Sequence, residues 1–491
     1  MSSLPDRGTR RDGLVVLVVS LLVALAFQGS RHLVDPDEGR YTDVAHEMVD
    51  LDDWLVPRLD PERPHYTKPP LTYWALAASF RAFGSNEWAA RMPNALAFVG
   101  TALLVLGVAR RLGLTAPAFA ACLWATSWGP VLAMNVVTTD TLLTFFETLA
   151  VFGFVSCGLV ASDAPPRTGG LRLMWIGFGL AFLTKGPPGL LPLGAIVGFV
   201  AWRRRASLAR LFDPAGLLAF AIVGLAWFVA LIWHSPDLLD YFVRHETVGR
   251  VASGEHHRNA GWLGWLVVYP PTLIIGSLPW LGLALARWRQ AAAAGQPARA
   301  EGSDARRFLA LWVALPLIVF VAAQSRLPLY VLPLMVPIAL AIAAFLGDWP
   351  ASGRKAVVAV VAAAVAAIAL KAAGPWVPFE GDASRLADEL RQTVDLSTVD
   401  EIVFVDAPAR YGLKHYLRMN VEQAESHTGA VGPGGYSAPE PLCQELAMPE
   451  RMLLIVPARR LDGVLAQFEL CQHRVERIGT LRQWVLFRSV P

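Results

Sequence analysis

Long apolar runs separated by short polar breaks fill the first three quarters of the chain. They lie at 14–27, 92–109, 115–134, 141–160, 171–184, 187–202, 214–233, 262–286, 308–323, 327–346 and 356–373. Read at 1.5 Å per residue, these are about eleven helices of near-spanning length. Prolines at 187, 188, 192, 328, 333 and 337 predict kinks or broken helix starts, which neighbouring helices tolerate. One long polar insert, 28–91, interrupts the series after its first member. Within it, 38–49 has helical spacing, with Tyr41, Val44, Ala45, Met48 and Val49 on one side and Asp43, Glu47 and Asp50 on the other. That pattern predicts an amphipathic helix suited to the bilayer surface, and the Trp- and Phe-bearing stretch 71–83 predicts a second. The two are expected to form a platform over the bundle.

After 374 the period changes. Helical spacing at 384–391, 411–418 and 461–470 alternates with short strand patterns at 401–406, 452–456, 475–478 and 483–488, and a Gly/Pro-rich loop occupies 429–441. Such alternation predicts a small α/β domain. The expected fold class is therefore an all-α polytopic membrane bundle over 1–374 with a C-terminal extracytoplasmic α/β domain over 375–491.

Composition agrees with the membrane reading. Of 491 residues 54% are hydrophobic and 17% charged, against about 25% charged in soluble domains. The first run resembles a signal peptide, with Ala24-Leu25-Ala26 as a passable cleavage site. It is read as an uncleaved span because many further spans follow. Alternate breaks hold Arg7/Arg10/Arg11, Arg110/Arg111, Arg167/Arg172, Arg203/Arg204/Arg205/Arg210, Arg287/Arg289/Arg306/Arg307 and Arg354/Lys355. The positive-inside rule makes these cytoplasmic. The remaining segments, the tail among them, then face outward. A net charge of +3 without basic runs interleaved with aromatics excludes a nucleic-acid partner. Cys122 and Cys157 fall in apolar runs, and no CxxC or Cys/His zinc spacing exists. Cys443 and Cys471 fall in the tail and can pair if the compartment is oxidising.

This orientation sets Asp37, Arg40, Lys68, Asp140, Lys185, His245, Arg250 and Arg326 on one face. Polar groups at a membrane face are costly unless used. Asp37 is either a helix N-cap or a general base that takes a proton from an incoming hydroxyl or amine. Lys68, Arg250 and Arg326 are either snorkelling interfacial cations or ligands of an anionic lipid phosphate. Asp140, after Thr138-Thr139, is either an N-cap or the partner that orients a cation; Lys185 is open in the same way. His245-Glu246 begins like a zinc-protease helix, but Gly249 stands where the second histidine belongs. Glu255-His256-His257 are solvated loop residues before they are metal ligands. No Walker loop, Rossmann glycine pattern or GxSxG elbow is present.

Asp37-Glu38-Gly39-Arg40-Tyr41, Lys68-Pro69-Pro70, Asn86-Glu87-Trp88-Ala89-Ala90-Arg91-Met92-Pro93, Thr139-Asp140 before Leu143-Thr144-Phe145-Phe146, Gly179 to Gly186, His245 with Arg250, Pro279-Trp280 and Ser325 to Pro333 occur in that order. The series resembles the polyprenyl-phosphate-sugar-dependent GT-C glycosyltransferases, most closely the bacterial lipid A aminoarabinose transferase branch, with the protein O-mannosyltransferases as relatives. It covers about 30–340 and touches the tail only weakly.

The resemblance implies a polyprenyl-phosphate-linked sugar donor, a lipid or protein acceptor, and a site on the outer face of a bacterial cytoplasmic membrane. It makes Asp37 the general base and Lys68 and Arg250 the clamp on the donor phosphate, which Arg40 and Arg326 join. Glu38, Tyr41, Asp140, Lys185, His245 and Tyr330 fall around the substrate cavity. Thr67 stands where the family often has a glutamate that pairs with the loop histidine at a metal site. That departure leaves no certain cofactor and puts a divalent metal beside His245 in question. Transfer to protein is the alternative, and a lipid-linked-sugar transporter a more distant one, because no inverted repeat is visible and the polar set lies at one face.

Overall fold

The structure, a computed structural model, describes residues 7–162, 164–242, 259, 261–294, 304–347, 353–426 and 440–490. His245, Arg250, the 255–257 cluster and nearly all of the 429–441 loop lie outside these. The chain divides into two compact units, 1–28 with 91–373 and 29–90 with 374–491. The polar insert thus belongs with the tail, not with the apolar helices that flank it in sequence.

In the helical unit every apolar run folds as helix. Among the described residues, six helices are long and apolar enough to cross a membrane. The count is seven if Gly264–Gly276 and Trp280–Ala293, bent by 82°, form one broken span. The number falls below the count of apolar runs for local reasons. The 115–134 run splits at Thr126-Ser127 into helices of 9 and 6 residues, and Leu191–Arg203 has only 13. Arg172 and Lys185 dilute Thr168–Lys185, and Arg10, Arg11 and Asp12 occupy the first turns of Arg7–Leu25.

The core of this unit is aromatic, with Phe98, Trp124, Phe154, Phe178, Phe199 and Trp312 all buried. Small residues set its closest helix pair. A Cβ added at Gly177 would come within 2.5 Å of Ala150 N, so the antiparallel helices Asp140–Cys157 and Thr168–Lys185 approach backbone to backbone. Lys371, buried in the Arg354–Ala373 helix, donates from Nζ to Val23 O (2.8 Å) and Ala24 O (2.6 Å). These are carbonyls that the end of the Arg7–Leu25 helix would otherwise leave unsatisfied.

The second unit is built on a six-stranded sheet: β1 (Glu401–Val405), β2 (Asn420–Glu425), β3 (Glu440–Pro441), β4 (Met452–Pro457), β5 (Arg474–Leu481) and β6 (Trp484–Val490). Its order is β3-β2-β1-β4-β6-β5. The first four strands are parallel, with Ile402 opposite both Val421 and Leu453, and β6 runs antiparallel to β4 and to β5. Every residue of β1 and β4 is buried, because helices cover both faces. Ala383–Thr393 and Gly412–Leu417 pack on Ile402, Phe404 and Leu453, whereas Leu461–Leu470 packs on Val403, Val405 and Leu454. Two-sided burial is what reads in sequence as a continuous apolar strand. β2 lacks that signature, because only Val421 and Ala424 of its six residues are buried. Cys443 and Cys471 are disulfide-bonded, with Cα atoms 5.1 Å apart.

The insert contributes helices Asp37–Asp50 and Leu71–Phe83, which pack on each other, and the first also packs on Gly412–Leu417. The expected bilayer-surface helix is corrected here, since Tyr41 to Met48 are all buried. Its polar side faces Lys414, which pairs with Glu47, lies 4.0 Å from Asp43 and donates to Asn420 Oδ1 (3.1 Å). Helical periodicity cannot show that a cation from 367 residues downstream will cover the charged face.

Candidate active site

Asp37 opens its helix directly after Pro36, and Arg40, one turn on, pairs with it (Nη2–Oδ1 2.8 Å). The approach to this helix is dense in carboxylates, yet the structure treats them differently. Asp35 is buried: Oδ1 accepts from Gly412 N at 2.9 Å, while Oδ2 has no hydrogen-bond partner among the described residues. Burial first, and Glu38 to a smaller degree, push its carboxyl up to about 7 against the pull of Gly412 N–H and Arg410. Glu38 is buried as well, accepting from Val34 N (2.9 Å) and pairing with Arg31 (2.8 Å). Asp43 and Glu47 are covered by Lys414. Asp37, with 41% of its side chain exposed, is the carboxylate at this helix start that an incoming molecule can reach.

Tyr41 and Tyr73 meet with ring centroids 5.6 Å apart. Each lies in the first turns of its helix, so the two helix starts lie together. Asp37 precedes Tyr41 by four residues, one helical turn, whereas Lys68 lies ahead of the Leu71–Phe83 helix. Lys68 is half-buried, and its Nζ donates to Thr67 O at 3.1 Å. Arg40 lies over the Tyr41 ring at 5.8 Å, with Tyr73 and Tyr411 also in its electrostatic surroundings. Asp37, Arg40, Tyr41 and Tyr73 thus lie together, a carboxylate and a guanidinium beside two aromatic rings. Thr67 Oγ1 lies 2.7 Å from His65 Nε2, so this hydroxyl is bonded to a histidine.

The helical unit has its own constellation. Asp140, at the start of its helix, pairs with Lys185, whose Nζ sits 4.5 Å from the centre of the Tyr330 ring. Glu147, two turns along the same helix face, is buried within electrostatic reach of both members of the pair. Arg326 is committed elsewhere. Its Nη1 donates to Asn259 O (2.8 Å) and Gly261 O (2.9 Å), its Nη2 to Val321 O (3.0 Å), and it is buried. It ties down backbone, as arginine does where carbonyls lack other donors.

The structure therefore groups Asp37, Arg40, Tyr41 and Lys68 in one unit, and Asp140, Lys185 and Tyr330 in the other. His245 and Arg250 fall outside the described residues. Sequence reasoning passed over Tyr73, Tyr411, Asp35, Lys414 and Glu147. Only Glu147 carried a usable signal, a lone carboxylate inside an apolar run, seven residues from Asp140. A further set of acids lies in the tail: one ligand oxygen each from Glu401, Glu422 and Glu445 lies within 4.8 Å of the others. Arg63 pairs with Glu422 and with Asp60, and burial and neighbouring carboxylates push Glu401 up to about 8.

The sequence profile of the dolichyl-phosphate-mannose-protein mannosyltransferase family matches residues 67–233. The undecaprenyl phosphate-α-4-amino-4-deoxy-L-arabinose arabinosyl transferase of Edwardsiella ictaluri is 32% identical over 336 residues, 67% of this chain and 58% of that protein. A protein of the same name from Pseudomonas fluorescens is 30% identical over 68% of this chain and 59% of its own length. The chain thus spans less than two thirds of these relatives. By structure, ArnT from Cupriavidus metallidurans bound to undecaprenyl phosphate superposes with a TM-score of 0.73, at 20% identity over 99% of both chains. The Archaeoglobus fulgidus oligosaccharyltransferase follows at 0.54, with 13% identity over 94% of this chain and 71% of that one. These superpositions show a shared fold.

Proposed function

We propose that this chain, a relative of the bacterial aminoarabinose transferases by sequence and of GT-C glycosyltransferases by fold, moves a sugar from a polyprenyl-phosphate donor to an envelope acceptor. The acceptor is a lipid A-like glycolipid or glycan, and transfer takes place on the outer face of the bacterial cytoplasmic membrane. About eleven passages hold the chain there, with the short and broken helices completing the set. The observation that carries the reading is the helix start at Asp37: a reachable carboxylate beside buried ones, paired with Arg40, which lies over Tyr41 of a tyrosine pair.

In this reading Asp37 takes the proton of the attacking acceptor group as the bond to the anomeric carbon forms. The bond from that carbon to the phosphate oxygen breaks with inversion. Lys68 and Arg40, with Arg250 by family resemblance, stabilise the charge that develops on the departing lipid phosphate. Such preorganised charge is the largest contribution to transfer in a water-poor site. Asp140, Lys185, Tyr330 and Glu147 supply polar lining in the membrane unit, with His245 assigned by resemblance. An apolar cleft of about 400 Å³ in that unit, with Leu273, Leu281, Ile338 and Phe345 among its walls, suits an isoprenoid tail.

The test is transfer of labelled sugar from undecaprenyl phosphate by detergent-purified protein, followed by mass spectrometry of donor and acceptor lipids. Asp37→Ala is expected to retain the fold and lose transfer. Near-parent turnover in that variant removes the base assignment. Protein acceptors are the second reading, favoured by the mannosyltransferase profile match; label recovered in protein instead of lipid extract decides for it.

A further inference from the structure

The tail unit has a binding topology of its own. Around β1 the parallel strands run β3-β2-β1-β4, and the helices that follow β1 and β4 go to opposite faces. Leu413, after β1, packs in the cluster of Ile402 and Phe404, whereas Val464 and Phe468, after β4, pack in the cluster of Val403 and Val405. Successive residues of a strand point to opposite faces, so β1 and β4 are neighbours whose connections part company. In open α/β sheets, ligands bind outside the carboxyl ends of the strands at such a switch point. A cleft of about 380 Å³ lies there, lined by Asp406, Ala407 and Pro408 after β1, Gln423 and Glu425 of β2, and Arg460 after β4.

The lining selects the ligand. The turn after β1 has no glycine, and Asp406 itself takes the left-handed conformation (φ 51°) that glycine usually fills. Its carboxylate is fixed by Ser426 N (2.8 Å) and Ser426 Oγ (2.6 Å). A carboxylate so placed repels a phosphate, and Glu425 adds a second acid. Gln423 Oε1 accepts from Ala409 N at 3.3 Å. Glu425 and Arg460 are exposed and without side-chain partners among the described residues. Two acids, an amide and one guanidinium in a shallow cleft match the hydroxyls of an uncharged sugar, which both donate and accept.

We infer that this cleft, formed by Asp406, Gln423, Glu425 and Arg460, is a saccharide-binding site separate from the residues assigned to transfer. The experiment is saturation-transfer difference NMR on the full-length protein in detergent micelles, with D-glucose, D-galactose and D-mannose as probes. The expected result is saturation of ring protons for at least one of the three. The double variant Glu425→Ala/Arg460→Ala, which changes two exposed side chains, should weaken that binding by about tenfold or more. Asp37→Ala should leave it unchanged while losing transfer. No saturation with any of the three sugars, equal saturation in the double variant, or loss in Asp37→Ala alone would each overturn the assignment.

Discussion

Asp35 offers the sharpest energetic test of how the insert and the tail are joined. Its carboxyl is buried against Gly412, one oxygen accepting from Gly412 N at 2.9 Å and the other unbonded among the described residues. Burial raises it from 3.8 to about 7, offset in part by Gly412 N–H and Arg410 and reinforced by Glu38. At 1.36 kcal/mol per pH unit this amounts to about 4 kcal/mol, to order of magnitude. Between those two values the folded state holds a proton that the unfolded state has released. The contribution to stability is therefore full below pH 3.8 and lost as pH rises through about 7. Asparagine keeps the acceptor for Gly412 and cannot ionise. Asp35→Asn should match the parent near about pH 4 and exceed it at about pH 8 by up to about 4 kcal/mol, on the order of 10 °C for a unit of this size. The assay is thermal unfolding across that range in detergent, with exchange protection of β1 and β4 amides reporting the tail unit. Glu401 titrates in the same direction in both proteins and cancels. Parallel pH profiles for parent and variant would refute the buried-acid argument.

Other perturbations probe the same construction. Lys414→Met leaves Glu47 and Asp43 buried without their cation and should cost about 3–5 kcal/mol in denaturant unfolding. Adding Glu47→Leu should recover part of this, and equal stability of parent and single variant would show the carboxylates already neutral. Gly39→Ala would drive a Cβ into the Asp35 carboxylate and to 2.8 Å from Gly412 Cα. Backbone cannot yield there as a flexible side chain would, so the variant should lose protection in β1 and accumulate poorly. Reducing the Cys443–Cys471 bond, which spans 28 residues, should destabilise the tail by about 3–4 kcal/mol on chain entropy. Unchanged unfolding in dithiothreitol would count against that value.

The sequence by itself determined the helices of the membrane unit and most strands of the tail, because both rest on periodicity. Apolar residues recur along a spanning helix whatever packs beside it, and β1 and β4, covered on two sides, are apolar throughout. It also exposed the ordered motif set that the family resemblance rests on, since Asp37, Lys68, Asp140 and Lys185 are rare charges in an apolar chain. Only the tertiary structure decided which of those charges remain available. Glu38 reads in sequence as a cavity residue and Arg326 as a phosphate-binding cation, yet their partners, Arg31 and Val34 N–H for one and three carbonyls for the other, hold them in place. Likewise the Asp37–Asp50 helix has a polar face in sequence, and only folding supplies Lys414 to cover it. Periodicity describes one element at a time, whereas the fate of a charge depends on what distant chain arrives opposite it.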